Sequence, residues 1–345
     1  MLKDLKYNEY QKISEQLNKP RKIILTAHAS PDGDTIGSCL GLYHYLIQFG
    51  HQVKVVSPNV APSFLQWLAN YEQILIFDTD AKAVEQEIMD ADLIFAIDYN
   101  AFHRIGKGLD TILEKSKTVK ILIDHHPNPN DIFDYKISDT SASSTAQLIY
   151  QFIIDLGHFD KINKVVAESL YVGLLTDTGS FSYSINSEKP YLMAAALYNT
   201  GIDIQAINQR IYSAFTEDRL RLTGFAISEK LVVNHELRFA YIALTAEELK
   251  QFKHQSGDTE GLVNYALSVN NIVAAVLLTE KEDKIRISFR SKGNFAVNII
   301  ANEHFKGGGH KNAAGGNSYI SMSDTIKKLN DIFTQNKEEI NTVLL

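Results

Sequence analysis

Cysteine is almost missing from this 345-residue chain: Cys39 stands alone, which excludes an internal disulfide and a cysteine-rich zinc site. It lies in an apolar, helix-like run and reads as core. Positive charge is also short. Lys and Arg total 34 against 41 Asp and Glu, a formal charge of −7. That balance argues against binding duplex DNA, which needs a basic face, though a small anion could still meet a local basic patch. No apolar run approaches a membrane span. The first twenty residues are polar and helix-prone, with no apolar segment of the signal-peptide type, so a cytoplasmic location is expected. Internal repeats, low-complexity tracts and a Pro- or Gly-rich linker are lacking too.

What is present is an ordinary globular composition, 45% hydrophobic and 22% charged, long enough for two domains with real cores. The first half alternates strand and helix patterns. "KIILTAH" (Lys22 to His28) reads as a buried strand, and Thr35 to Gly50 puts Ile36, Leu40, Tyr43 and Ile47 on one helical face. "QVKVV", "ILIF", "LIFAID" and "KILID" are further strand candidates. The pattern predicts an α/β fold, a mostly parallel sheet with flanking helices. From about Ser141 to Arg210 it turns helical. After Thr216 the strands "LRFAYIAL", "IVAAVLLTE" and "KIRISFRS" and the helix "NFAVNIIANEHF" predict a smaller α+β domain. The expected division is a catalytic domain over 1–200, a helical connector over 201–220 and a second domain over 221–345.

Polar residues gather where strands end. "HASPDGD" supplies His28, Asp32 and Asp34; "AIDYN" supplies Asp98; "IDHHP" supplies Asp124, His125 and His126; "LLTDTGSF" supplies Asp177. Strand C-termini of an open parallel sheet share one edge, so residues spread over 150 positions can meet in one crevice. Each has a plainer reading. Asp98 alone could be a helix N-cap, "DGD" a turn, Asp177 a helix-ending residue and the two histidines an ordinary loop. Together they are far more specific. The donor set is oxygen and imidazole without thiolate, which suits Mn²⁺, Mg²⁺, Fe²⁺ or Co²⁺ better than structural zinc. Four close aspartates call for about two divalent cations. Such a pair, about 3.5–4 Å apart, can share a hydroxide and hold phosphoryl oxygens, so phosphate-ester hydrolysis is the natural chemistry. Asp124, His125 and His126 are consecutive, so alternation on a strand sends their side chains to different partners.

In the C-terminal part, "KGGGHKNAAGG" (Lys306 to Gly316) reads as a loop. The amides of Gly307, Gly308 and Gly309 could approach an anion, His310 adds a donor, and the following "AAG" permits close packing or opens a helix. A tight connection between elements is the alternative. Arg290, Ser291 and Lys292 end a predicted strand and suit an anion as well.

These motifs, in this order, resemble those of the DHH phosphoesterase family, and "SFRSKGN" with "GGGHKNAAGG" resembles its companion DHHA1 domain. The resemblance spans nearly the whole chain and is nearest to the stand-alone branch of oligoribonucleases, 3′-phosphoadenosine 5′-phosphate phosphatases and dinucleotide phosphodiesterases. It implies two divalent cations, Mn²⁺ first among them. One is held by His28, Asp32 and Asp98, the second by Asp34, Asp98, His125 and Asp177, with Asp98 bridging. His126 then faces the substrate phosphate and Asp124 orients a histidine. The implied substrate is short RNA or a small nucleotide, clamped by Arg290, Ser291, Gly307 to Gly309 and His310. Two rivals stand beside this: an exopolyphosphatase or inorganic pyrophosphatase, and a nucleotide- or RNA-binding protein without activity. Oligomeric state stays open, a homodimer included.

Overall fold

The structure, a computed structural model, describes residues 2–183 and 185–344. The chain divides into two compact units, Met1–Ala214 and Phe215–Leu345.

The first unit is built on six parallel strands: β1 (Lys22–Thr26), β2 (Gln52–Ser57), β3 (Leu75–Ile76), β4 (Leu93–Ile97), β5 (Val119–Asp124) and β6 (Tyr135–Ser138), in the order 3-2-1-4-5-6. Side chains alternate between the faces, as strand geometry requires. Ile23, Leu25, Phe95, Ile97, Ile121 and Ile123 join one apolar core; Ile24, Ile94, Ala96 and Leu122 join another. The first core is covered by α1 (Leu2–Gln16), α2 (Gly33–Leu46), α5 (Thr145–Asp155), α6 (Lys164–Asp177), α7 (Lys189–Tyr198) and α8 (Ile204–Tyr212). The second is covered by α3 (Ala81–Met89) and α4 (Leu109–Lys115). This is the doubly wound α/β arrangement read from the alternating pattern. Strand order reverses between β1 and β4, and such a switch point opens a crevice at the strands' C-terminal ends.

Glycines set the position of α2. Gly33, Gly37 and Gly41 recur every four residues and line one helical stripe facing α6. A β-carbon at Gly37 would run into the Ser169 carbonyl oxygen and the backbone of Gly173; at Gly33 it would meet the Thr176 side chain, and at Gly41 that of Leu170. Gly173 returns the fit, with Ala146 and Asp34 against it. The two helices therefore approach at backbone distance.

The second unit has one mixed sheet, β7 (Leu231–Asn234), β8 (Phe239–Leu244), β9 (Ala274–Glu280), β10 (Ile285–Ser291), β11 (Gly308–His310) and β12 (Ala313–Ser318), in the order 11-12-10-9-8-7. Only β8 and β9 run parallel. One face packs on α12 (Val297–Phe305), α13 (Met322–Gln335) and α14 (Lys337–Asn341). The other packs on α9 (Glu217–Glu229), α10 (Ala246–Gln251) and α11 (Leu262–Leu267). The glycine run corrects the sequence reading. "KGGGHKNAAGG" is a β-hairpin, with Gly308 opposite Gly315 and His310 opposite Ala313, and "AAG" begins a strand rather than a helix. Gly307 and Gly309 are demanded by close approach to Gly315, Gly316 and Ala313, whereas nothing lies within 4 Å of a β-carbon at Gly308.

Among the described residues no helix is long and apolar enough to cross a membrane.

Gly37→Ala pushes a methyl into immovable backbone and should cost about 1–3 kcal/mol, lowering the thermal midpoint by roughly 3–10 °C. Gly224→Ala, on the open side of α9, should instead stabilise by up to about 1 kcal/mol. Calorimetry on both variants checks the pair, and an unchanged midpoint for Gly37→Ala would refute the close-packed stripe.

Candidate metal centre

The crevice at the switch point collects all the strand-end residues of the first unit. His28 follows β1, Asp98 follows β4, and Asp124 ends β5 with His125 and His126 directly after it. Asp32 caps the N-terminus of α2 by accepting from the Thr35 amide at 3.0 Å. Asp34 is in the first turn of α2, and Asp177 is the last residue of α6. His28, Asp34, Asp98, Asp124, His125 and His126 are buried.

Two groups of donor atoms form around Asp98. On one side His28 Nε2 is 3.6 Å from Asp32 Oδ2 and 3.5 Å from Asp98 Oδ2. On the other His125 Nε2 is 3.9 Å from Asp34 Oδ2, 3.7 Å from Asp98 Oδ1 and 3.5 Å from Asp177 Oδ2. These separations are too long for hydrogen bonds; they suit several donors converging on one ion. The sets His28–Asp32–Asp98 and Asp34–His125–Asp177 each bring one donor atom per residue within 4.8 Å of the others. Asp98 turns one oxygen to each group.

The histidines are oriented for such a task. His28 Nδ1 lies 2.9 Å from the Ala29 carbonyl oxygen, and His125 Nδ1 lies 3.3 Å from that of Ala142. A carbonyl can only accept, so both Nδ1 atoms carry protons and both Nε2 atoms are turned toward the carboxylates. This is the outer-shell pattern of metal-binding histidines. His126 is placed differently: its Nδ1–H donates to Asp124 Oδ1 at 2.7 Å, while Asp124 Oδ2 is buried without a hydrogen-bond partner.

Neutral donors hold the carboxylates in place. Asp34 sits at the N-terminus of α5, accepting from the amides of Thr145 at 2.6 Å and Ala146 at 2.9 Å, and from the Ser38 hydroxyl at 3.2 Å. A helix N-terminus favours an anion there. Asp98 accepts from the hydroxyls of Thr35 at 2.6 Å and Thr145 at 2.8 Å. Thr35, Ser38 and Thr145 were not singled out in the sequence. The signal available for Thr145 was a serine-rich helix start shortly after a strand.

The electrostatics show a shortage of positive charge. Burial, reinforced by Asp98, Asp177 and Asp32, pushes the Asp34 carboxyl well above the usual carboxylate range. Burial disfavours the charged form of His28, yet Asp32 and Asp98 outweigh it and lift the imidazole to about 10. For His125, burial is likewise outweighed by Asp177, Asp98 and Asp124. Asp98 stays below the usual range despite burial, because His28, His126 and His125 surround it. The imidazoles settle Asp98 and leave Asp34 uncompensated. Burial and the Arg104 guanidinium together hold His126 below its ordinary value, against the pull of Asp124. The oxygen-and-imidazole donors, their oriented rings and this unbalanced charge fit divalent cations.

The proposed clamp residues lie in the second unit. Arg290 is half-buried near the end of β10, with Nη1 donating to the Phe289 carbonyl at 3.0 Å. Gly307 precedes β11 and His310 ends it. Ser291 is otherwise occupied: it is buried, its hydroxyl donates to the Phe295 carbonyl at 2.6 Å and accepts from Asn312 Nδ2 at 2.8 Å. It braces the turn after β10.

A doubly wound sheet with paired carboxylate and imidazole clusters at its switch point defines a DHH-type metal-site protein. The chain belongs to that family. The DHH family N-terminal domain matches residues 22–174 and the DHHA1 domain matches residues 238–336. The chain is similar to the bifunctional oligoribonuclease and PAP phosphatase NrnA of Bacillus subtilis, 28% identical over 92% of this chain and 95% of that one. It is 30% identical to the probable protein of the same name from Streptococcus mutans, over 86% and 89% of the two chains. The crystal structure of an exopolyphosphatase-related protein from Bacteroides fragilis superposes with a TM-score of 0.91 at 38% identity, covering 97% and 98%.

Thr145→Val removes one hydroxyl from Asp98 while keeping shape and the amides at Asp34. It should weaken Mn²⁺ binding by about 10- to 100-fold, read by titration calorimetry. Affinity within twofold of the parent would show that the hydroxyl does not position the carboxylate.

Proposed function

We propose that this chain is a metal-dependent phosphoesterase that hydrolyses short nucleotidyl phosphates: oligoribonucleotides, dinucleotides or 3′-phosphoadenosine 5′-phosphate. It is a hydrolase of phosphoric ester bonds. The observation that carries the reading is Asp98, buried at the switch point with one oxygen toward each of two donor groups. Two NrnA relatives named for oligoribonuclease and PAP phosphatase activity, aligned over most of their length, support the substrate class.

In this reading His28, Asp32 and Asp98 hold one divalent cation, and Asp34, Asp98, His125 and Asp177 hold the other, Mn²⁺ being the best match to the donor set. When bound, the cations supply a water acidic enough to attack at neutral pH and offset charge on the phosphoryl group. The protein's own residues do the rest. Asp98 keeps the two groups in register. The Thr35 and Thr145 hydroxyls and the α5 amides fix carboxylate orientation before substrate arrives, so little reorganisation remains for the transition state. His126, its Nδ1 proton committed to Asp124, donates to a substrate phosphate from Nε2 in its doubly protonated form. The second unit adds affinity for the nucleotide through Arg290, His310 and the open backbone at Gly308. The expected location is the cytoplasm.

An inorganic polyphosphate is the rival substrate, favoured by the name of the Bacteroides fragilis structure. One experiment separates the readings. The chain is incubated with 3′-phosphoadenosine 5′-phosphate, a phosphorylated dinucleotide, a pentaribonucleotide and tripolyphosphate, with Mn²⁺ or with chelator, and products are read by mass spectrometry. Nucleotide turnover with Mn²⁺ and none with chelator is expected. Turnover of tripolyphosphate alone, or full activity after exhaustive chelation, would refute the proposal, and no turnover of anything would favour a pure binding protein.

Asp98→Asn should lower turnover by several orders of magnitude while the circular dichroism spectrum and thermal midpoint stay near those of the parent. Near-normal rates would place the shared ligand elsewhere.

A further inference from the structure

The metal groups use only Asp177 from "LLTDTGSF"; the residues after it have work of their own. Gly179, Ser180 and Phe181 are consecutive left-handed residues, with φ of 52°, 55° and 63°. For a residue as bulky as phenylalanine that conformation is a true outlier, held only where its surroundings impose it. Here they do. The Ser180 amide donates to the Leu175 carbonyl at 2.9 Å, the Phe181 amide to Thr178 Oγ1 at 3.1 Å and the Ser182 amide to the Thr178 carbonyl at 2.8 Å. Thr178 is itself buried and bonded to the Leu174 carbonyl at 2.7 Å. The turn is thus clamped onto the end of α6 that carries Asp177.

Its product is the placement of one ring. Phe181 packs against the first core and stacks on Tyr191, in the first turn of α7, with centroids 5.3 Å apart and planes 20° from parallel. Tyr191 nevertheless stays 52% exposed. An anchored inner ring and an open outer ring make a stack ready to be extended. Flat rings extend such stacks, and nucleobases do so with little regard to sequence. The charge nearby selects the occupant further: Asp177 belongs to the group that, under the function proposed above, meets the phosphate.

The geometry points to Phe181 and Tyr191 as a stacking platform for a nucleobase of the substrate next to the scissile phosphate. The inference rests on that proposed function. Phe181 is the positioning residue, and Tyr191 makes the contact. The platform favours substrates with a base beside the cleaved bond without choosing among bases.

The test compares the parent, Tyr191→Ala, Tyr191→Leu and Tyr191→Phe, all Mn²⁺-loaded and full length. Substrates are a phosphorylated adenylyl dinucleotide and its two abasic analogues, one for each position. Tyr191→Ala and Tyr191→Leu should raise KM for the dinucleotide by about five- to a hundredfold, Tyr191→Phe should not, and one abasic analogue should show a loss at least fivefold smaller. Leucine keeps the bulk without the aromatic face, so a loss shared by alanine and leucine but not phenylalanine marks stacking rather than folding. Hydrolysis by the parent with the same loss on all three substrates, or no loss on any, overturns the platform and leaves the proposed function standing. No hydrolysis by the parent overturns the proposed function and the platform with it.

Discussion

Negative charge withdrawn from water is the constraint around which the first unit is arranged. Asp34, Asp98 and Asp124 are buried side by side, a placement that is costly unless opposite charge or hydrogen bonds compensate it. The fold supplies neutral help first: α5 amides and the Ser38 hydroxyl for Asp34, threonine hydroxyls for Asp98, one imidazole N–H for Asp124. These donors satisfy geometry but not charge. Two imidazoles whose proton affinity is raised by the carboxylates and one carboxyl driven toward neutrality are the same deficit seen from different groups. Cations bound at the two donor groups would remove it, and the chemistry and the stability of the crevice would then share one cause.

The glycine stripe turns that local constraint into a property of the whole unit. Asp32 and Asp34 ride on the start of α2, Asp177 on the end of α6, and the contact of these helices at Gly33, Gly37 and Gly41 fixes their separation. Gly173 brings the Asp34 carboxylate and Ala146 against the same surface, so α5 joins the arrangement. A side chain inserted anywhere along this seam would shift donors of the second group relative to those of the first. Packing and ligand geometry are therefore coupled, and substitutions in the stripe and in the carboxylates should not act additively.

Much of this was legible in the sequence, for identifiable reasons. Buried strands such as Ile23–Leu25 and Ile121–Ile123 declare themselves by unbroken β-rich apolar runs, and a parallel sheet sends whatever follows each run to one edge. The parts that stayed hidden depend on tertiary approach. Thr35 and Thr145 look like any helix-start threonines until Asp98 is placed between them. β6, "YKIS", is short and half-buried, and is a strand because β5 lies beside it. The β11–β12 hairpin has almost no intrinsic strand preference; it exists because Gly307 and Gly309 allow backbones to meet where side chains would clash, while Gly316 lets the hairpin sit close to Phe305 of α12. The bonds of the Ser291 hydroxyl to Phe295 and Asn312 are of the same kind: a serine beside an arginine in the sequence does not announce them.

Backbone strain follows the same map. Among the described residues of the first unit, the non-glycine positions with positive φ are Ser30, Asn70, Asp98, Asn128, Ser180 and Phe181. Asn70 lies in a tight connection before a short helical turn. The other five lie in segments leaving β1, β4, β5 and α6, the ones that deliver His28, Asp98, His126 and Asp177. Asparagine and aspartate tolerate that conformation, so Asp98 and Asn128 cost little; Phe181 costs more and is held by more bonds. A doubly wound sheet with two apolar faces is stable enough to impose such turns at its edge. The bulkiest strained side chain, Phe181, is also the one packed against the first core and bonded through its amide to the end of α6 that carries Asp177.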